Sequence, residues 1–531
     1  MAKYTVTTLS DEALEIGDAD GLDGSGLSLR EAIALANANA GKDTIKFASH
    51  LTSGSIDLFL GELVISDSVN IRGLGADKLT IDAQGNSRIF TIDGALDTPI
   101  AVKMKGLTLT GGEADLGGAI LNTGEKLTIK ESVITGNTAT NVVEGLEYGR
   151  GGGIYSDGGT VKLAETTISD NSAGRSGGGL SIINTNLKVT DSLIDNNAGD
   201  LSGGGIVAAF STVTIRDTVL SNNSSANVVG LPVEAEAGRG GAIAVIQSDV
   251  KIKESTLTGN DAFSDGGAID SIGGDIRIRD SELTDNTAGD DGGAIANASG
   301  IGDATVVIKD STLSGNTAAF GGALLNQGNA EGTTATLIVK DSDIRENTAT
   351  TFGGGITSTD YGSDSVLVVD ASTITGNESL GLGGGIFAGG EATVKDSDIS
   401  GNSAIFGGGL VSYAVGPFNG DLTVKDSTIS SNEALNVGGG LIAFGGQASI
   451  DDSLIKGNTA ASGAGVANGF ATLAGTLEVS DSQIIGNTAS NSGGGVLNVI
   501  GTATVLDSQV IGNMAMGDPS TNNIGGDVTI L

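Results

Sequence analysis

The chain offers little of what catalysis ordinarily draws on. Of its 531 residues none is Cys, and a single one, His50, is His. Disulfides, thiolate nucleophiles and Cys-based metal sites are therefore excluded. Carboxylates are plentiful, with 64 Asp and Glu against 27 Lys and Arg, a formal charge of −37. A field of that sign repels phosphate backbones, which disfavours nucleic acid as a partner, and attracts divalent cations.

Four groups of residues could still do chemistry. Asp18, Asp20 and Asp23, interleaved with Gly21 and Gly24, could wrap one Ca²⁺, although the run is not a full EF-hand loop. A second group of acids recurs along the chain, from Glu131 and Glu165 through Asp191, Asp310 and Asp396 to Asp507, each followed by Ser or Thr. That pairing points to turn capping, with a Ca²⁺ ladder as the alternative. Lys or Arg stands one residue before many of these acids, as at Lys130, Arg216, Lys253, Arg279, Lys309, Lys340, Lys395 and Lys425. The cations are expected to relieve repulsion between stacked carboxylates, the alternative being a track for an anionic glycan. Finally, Tyr361, Tyr413 and Phe418 lie in insertions of a chain that is only 3% aromatic. They suit stacking on sugar rings or packing of loop edges.

Two longer insertions follow Asn137 and Asn223 and share wording, Asn141-Val142-Val143 against Asn227-Val228-Val229. Each closes on Gly-Arg-Gly, at Arg150 and Arg239. Insertions between repeats become exposed loops, so both arginines are candidate ligand contacts.

The elements that must position these groups are set by a repeat. Its centre is an aliphatic residue, two further residues, then Asn: Asn137, Asn171, Asn197, Asn223, Asn260, Asn286, Asn316, Asn347, Asn377, Asn402, Asn432, Asn458, Asn487 and Asn513. The mean interval is about 29 residues and the shortest is 25. Ser or Thr stands five before each Asn, and an acid six before, except at Ala371. Gly-Gly and an aliphatic follow most of them, and Phe320, Phe352, Leu382, Phe406 and Val437 precede this Gly-Gly in successive repeats, as an interior or turn stack. The apolar runs, such as residues 422–424, 428–429 and 440–443, are too short for helices and rich in β-branched residues.

This pattern predicts an all-β chain, a right-handed single-stranded parallel β-helix with three short strands per coil and roughly 17 coils, a rod on the order of 80 Å long. Equivalent residues of neighbouring coils then lie one strand spacing apart, and the recurring Asn can stack as a buried amide ladder.

Residues 1–50 read as a cap of strand, acidic loop and short helix, 51–513 as the coils, and 514–531 as a C-terminal cap or a secretion signal. Within the cap, residues 4–9 read as a strand and 28–38 as a helix, with Ser28 and Glu31 spaced as a capping box. No Sec signal peptide and no apolar run of membrane-spanning length is visible.

The run Leu27-Ser28-Leu29-Arg30-Glu31-Ala32-Ile33, followed by Ala36-Asn37 and Asp43-Thr44-Ile45-Lys46-Phe47, resembles the N-terminal cap of bacterial β-helix proteins with the signature Cys-Ser-Leu-Arg-Glu-Ala. Leu27 stands where that signature has Cys. Gly106-Leu107-Thr108-Leu109-Thr110-Gly111-Gly112 and the Gly-Gly-Ala-Ile runs at 117–120, 266–269 and 292–295 resemble the repeats of polymorphic outer-membrane proteins, which often carry Phe where this chain has an aliphatic. The resemblance implies a bacterial cell-surface or secreted, adhesin-like protein without an assigned activity.

The residues and the resemblance together favour a non-enzymatic extracellular rod, an adhesin or matrix scaffold that binds glycans, leaving the cell by a type I-like route. There is no Gly-His-Gly run and no Asp-Pro-His-Glu. The alternative is a polysaccharide lyase, hydrolase or epimerase that acts on acidic glycans through Lys, Arg or Tyr. Ca²⁺ is the one cofactor that the acids suggest.

Overall fold

The computed structural model describes residues 1–13, 26–94, 98–140, 149–226 and 238–531. The chain is an all-β parallel β-solenoid of about 16 turns with very little helix. It divides into two compact units, Met1–Phe263 and Ser264–Leu531.

From Glu113 onward each turn contributes to three parallel sheets. One full turn runs from Thr428–Ser430 in the first sheet, through Glu433–Val437 in the second, to Leu441–Phe444 and Gln447–Asp451 in the third. The three anticipated runs are present, and the third sheet is fed by two segments rather than one. The second sheet, which in several turns is only two residues long, as at Thr138–Ala139, carries no apolar alternation that a sequence could reveal.

Many of the strands are short because a residue with positive φ follows them. The recurring acid is one such corner: Glu131, Asp310 and Asp507 have φ of 47°, 49° and 42°. Asp tolerates the left-handed region better than most residues with a side chain, and Gly106 takes the same corner one turn before Glu131. The residue just before each Asn is a second such corner, as at Gly315 with φ 67° and Asp285 with φ 55°. Capping falls to the neighbouring hydroxyl, not to the acid. Ser311 Oγ donates to Lys309 O at 2.7 Å and accepts the backbone N–H of Ser281 at 3.2 Å, and Ser342 repeats the arrangement one turn on.

The interior is a set of stacked ladders. The aliphatic three residues before each Asn forms one of them: Ile134, Ile168, Ile194, Leu220 and Leu257 in the first unit, with Leu109 one turn earlier, are paired in register and all but fully buried. The repeat's Asn side chains form another, and all fourteen are buried. Asn316 Nδ2 donates to Asn347 Oδ1 at 2.9 Å and to Leu283 O at 3.0 Å, while the Asn316 backbone N–H reaches the same Oδ1 at 2.9 Å. In the first unit this chain of amides runs from Asn137 to Asn260. In the second it runs from Asn286 to Asn513 and closes on Asn523.

A shorter interior amide row escaped the sequence pattern. Asn297 donates to Asn326 at 2.8 Å, and Asn468 to Asn498 at 2.9 Å. Asn occupies that position in only a few turns, so no period betrays it.

At the N-terminal end, Lys3–Val6 pairs in parallel with Asp43–Phe47, and Leu29–Ala38 is the helix. Both halves of the capping box form: Ser28 N–H donates to Glu31 Oε2 at 2.7 Å, and Glu31 N–H to Ser28 Oγ at 3.2 Å. The buried stripe is Leu29, Ala32, Ile33 and Ala36, while Leu35 lies at its margin. Arg30 ties the helix to the first coils through Asp11 at 2.7 Å and the carbonyls of Gly61 and Glu62. Asp11 also accepts the N–H groups of Phe59 and Leu60. Residues beyond Asn513 do not leave the solenoid: Met514–Ala515, Ile524–Gly525 and Thr529–Ile530 each pair with a strand of the preceding turn.

Candidate functional site

The sequence-derived candidates are scattered by the fold rather than gathered. Asp18, Asp20 and Asp23, and the insertions at 141–148 and 227–237, lie outside the described residues. Arg150 and Arg239 belong to one column of bridged residues, Arg150, Ser176, Ser202 and Arg239, three turns apart or about 14 Å at the usual strand spacing. They do not form a pair. His50 sits in a short turn of the cap with Nε2 3.0 Å from Thr7 O.

In the second unit, Tyr413 and Phe418 come together with ring centroids 5.7 Å apart, while Tyr361 is 61% exposed and makes no ring contact among the described residues. Tyr413 belongs to a stripe in which Phe352, Phe387, Tyr413, Phe444 and Phe470 succeed one another at 4.6–5.7 Å. Phe387 is fully buried, and Val411, Val437, Ile442, Leu382 and Phe406 pack against the same cluster. The residues before Gly-Gly are thus a turn stack. Phe352 and Phe387 are stacked with planes 8° apart, as are Tyr413 and Phe444 at 28°, so these rings cover one another's faces.

Three carboxylates of the second unit, Asp265, Asp290 and Asp291, have oxygens within 4.8 Å of one another and could hold a cation. Burial, and secondarily the charge of Asp265, pushes the Asp290 carboxyl above its ordinary pKa. The sequence reading missed this cluster, although Asp265 and Asp291 each immediately precede Gly-Gly in consecutive repeats and so had to stack.

The line of cations before the recurring acids is zipped to those acids. Lys309 Nζ lies 3.8 Å from Asp310 and 3.6 Å from Asp341 of the next turn, and Arg279 bridges Asp280 and Asp310 in the same way. The one break in the acid pattern explains itself: where Ala371 takes the corner, the carboxylate moves back to Asp370 and meets Lys340 Nζ at 2.7 Å. Asp370, through a hydrogen bond and its charge, raises the Lys340 ammonium pKa, and Lys425 lowers that of Asp451 in the same two ways. These exposed pairs relieve repulsion but, screened by solvent, each adds little to stability.

A different arrangement covers the third sheet of the first unit. Two outward rows run along it from turn to turn. One contains Thr44, Asn70, Lys103 and Thr128, then Lys162, Lys188, Thr214 and Lys251. The other contains Lys46, Arg72, Lys105 and Lys130, then Ala164, Thr190, Arg216 and Lys253. Four of the eight positions in the first row and six of the eight in the second are Lys or Arg, and none is acidic, although acids outnumber bases by more than two to one in the chain. The second row leans on corner acids, as in Lys105–Glu131 and Arg216–Glu254. In the first row Lys103, Lys162, Lys188 and Lys251 are exposed and make no ion pair among the described residues.

The loop Gly73–Asp77 walls a cleft of about 900 Å³ above these rows, lined by Lys42, Arg72, Lys103, Lys105 and Lys130, with Asp77 and Glu131 as its two acids. A recess of about 280 Å³, lined by Lys103, Lys126, Thr128 and Lys162, continues it and shares Lys103 and Thr128. Only the row beside the acids is legible in the sequence, because its fixed offset from them is visible along the chain.

No protein-family model matches the chain, and no curated protein does. Among solved structures, it is similar to the A-module of the Azotobacter vinelandii mannuronan C-5 epimerase AlgE6, at 13% identity over 98% of each chain with a TM-score of 0.21. It is also similar to a mannuronic-acid-specific polysaccharide family 6 lyase from human gut microbiota, at 11% identity over 91% of this chain and 86% of that one, TM-score 0.24. The A-module of AlgE4 of Azotobacter vinelandii matches at 14% identity over 98% and 96%, TM-score 0.20. Likenesses of this size carry no argument about activity.

Proposed function

We propose that this protein is a non-enzymatic scaffold, secreted or borne on a bacterial surface, that binds glycans along its outward sheet rows. The observation that supports this reading most is the composition of the outward rows on the first unit's third sheet. Side chains that bind hydroxyls and anions (Lys, Arg, Thr and Asn) fill all of their positions but Ala164, in register on a rigid parallel ladder. Such a surface offers repeated, equally spaced contacts to a polymer and needs no moving part. A repeating ligand engaged at several turns gains by multivalency what each contact lacks in strength.

The cap fits the same reading. The Arg30–Asp11 clamp and the helix Leu29–Ala38 protect an end that would otherwise expose strand edges. A stable, edge-protected scaffold suits life outside a cell. Among the described residues no helix is long and apolar enough to cross a membrane.

A glycan array probed with the full chain tests the proposal. Retention of at least one polysaccharide class, with no change in that polymer's length or unsaturation after incubation, is the expected result. Release of unsaturated or shortened products would instead establish the lyase or hydrolase alternative, and a changed uronate epimer ratio the epimerase.

A further inference from the structure

Resting on the glycan-binding reading, we infer that the ligand is a polyanionic polysaccharide and that its site is the basic face of the first unit, with the chain of sugars lying along the stacking direction. The argument begins with a cost. Lys162 and Lys188 are direct neighbours in register, one strand spacing or about 4.8 Å apart at the backbone. Like charges directly opposite destabilise a sheet. Elsewhere in this molecule the same problem is met by interleaving acids, as with Lys309 between Asp310 and Asp341. On this row it is not, although 64 carboxylates were available to the chain. Cations held together without counter-charges are pre-paid attraction for an anion that is not part of the chain.

The shape and the neighbours define the class. The cleft over Arg72, Lys103 and Lys105 opens into the recess at Lys126 and Lys162, so the cationic surface is elongated and runs across successive turns. Thr128 and Thr214 lie between lysines of the row and Asn70 lies beside Lys103, and all three can hydrogen-bond hydroxyls, the groups that separate charges in an acidic polysaccharide. No aromatic residue stands in either row, so unpaired bases have nothing on which to stack. The only apolar side chain in the two rows is Ala164, so the face has nothing to insert into a bilayer. The strongly negative remainder of the chain also weakens approach by the dense charge of DNA.

The test uses the full chain, with binding measured by calorimetry to polygalacturonate, to a sulfated glycosaminoglycan and to neutral dextran. The triple variant Lys103→Glu, Lys162→Glu, Lys188→Glu and the control Lys456→Glu, in the other unit, are run beside it. All four residues are exposed, so melting temperature verifies that each variant folds. The expected result is binding to an acidic polymer that weakens as salt rises, falls by about tenfold or more in the triple variant, and is unchanged in the control. Binding to dextran alone would overturn the polyanion inference and leave the glycan scaffold standing. Binding to no polysaccharide would sink both. Acidic-polymer binding that survives the triple variant would overturn the site, and equal affinity for DNA would overturn the ligand class.

Discussion

At the scale of single residues, the solenoid depends on groups that must find a partner inside. Asn316 is fully buried, and its amide serves four others: Asn286 Nδ2 and the Asn286 backbone N–H, from which it accepts, and Leu283 O and Asn347 Oδ1, to which it donates. Leu at this position is close in size but answers none of them. Each buried group left unpaired costs about 1–3 kcal/mol, so Asn316→Leu is expected to destabilise the second unit by about 3 kcal/mol or more. A denaturant midpoint equal to the wild type would refute the ladder's energetic role. Asn316→Asp keeps the acceptor but sets an oxygen against Leu283 O and Asn347 Oδ1 and brings an unpaired charge into a fully buried site, so at neutral pH it should destabilise at least as much as Leu.

The corner residues make a gentler case. Ala371 holds φ 49° without the side-chain amide or carboxylate that favours this region. Ala371→Asn is expected to stabilise by on the order of 0.5 kcal/mol, seen as a small rise in melting temperature. Asp290 gives a pH signature. Its folded-state pKa is raised by burial and then by Asp265, so the folded state holds this proton more tightly than the unfolded one. Stability is therefore lost as pH rises through the window between the two values, the lower of them at about 3.9. Asp290→Asn should melt higher than wild type at pH 7, with the difference vanishing below about pH 4.

At the scale of elements, the cap helix and the acidic sites can be separated experimentally. The Asp11 side chain is 1% exposed and is held by Arg30 and by the N–H groups of Phe59 and Leu60. Removing one member of a buried pair leaves an uncompensated charge, at a cost of about 3–5 kcal/mol. Arg30→Met is thus expected to loosen the cap first, read as faster hydrogen exchange in Lys3–Val6 and Asp43–Phe47 while the Asn ladder of the second unit stays protected. Melting in EDTA against millimolar Ca²⁺ addresses the carboxylates. A rise that Asp290→Asn abolishes assigns the ion to Asp265, Asp290 and Asp291, and a rise that survives it assigns the ion to other acids such as Asp18, Asp20 and Asp23.

At the scale of the whole chain, the two ends of the composition have different tasks. Many acids stand in corners, as at Glu131 and Asp310, or beside cations that neutralise them in part, as at Asp341 and Asp370. The cations concentrate where the first unit's third sheet faces outward. The aromatics are shared almost evenly between the two units, but those of the second stack on one another along Phe352, Phe387, Tyr413 and Phe444. Their faces are mutually covered, which argues for brace over ligand platform and moves the search for a glycan site to the basic face.

The sequence by itself determined the β-solenoid, its interior aliphatic and Asn ladders, the capping box at Ser28 and Glu31 and the pairing of cations with recurring acids. All of these are local or strictly periodic: φ preference acts within one residue, a cap within three, and a repeat announces itself at a constant offset from its own Asn. Only the tertiary structure decided which side chains share an outer row. Lys103, Lys162 and Lys188 are unequally spaced along the chain, because turns differ in loop length and Thr128 intervenes. The hydrogen-bond register between turns, indifferent to loop length, is what aligns them. The same register gathers Asp265 with Asp290 and Asp291, sets Arg150 three turns from Arg239, and leaves Tyr361 apart from Tyr413 and Phe418.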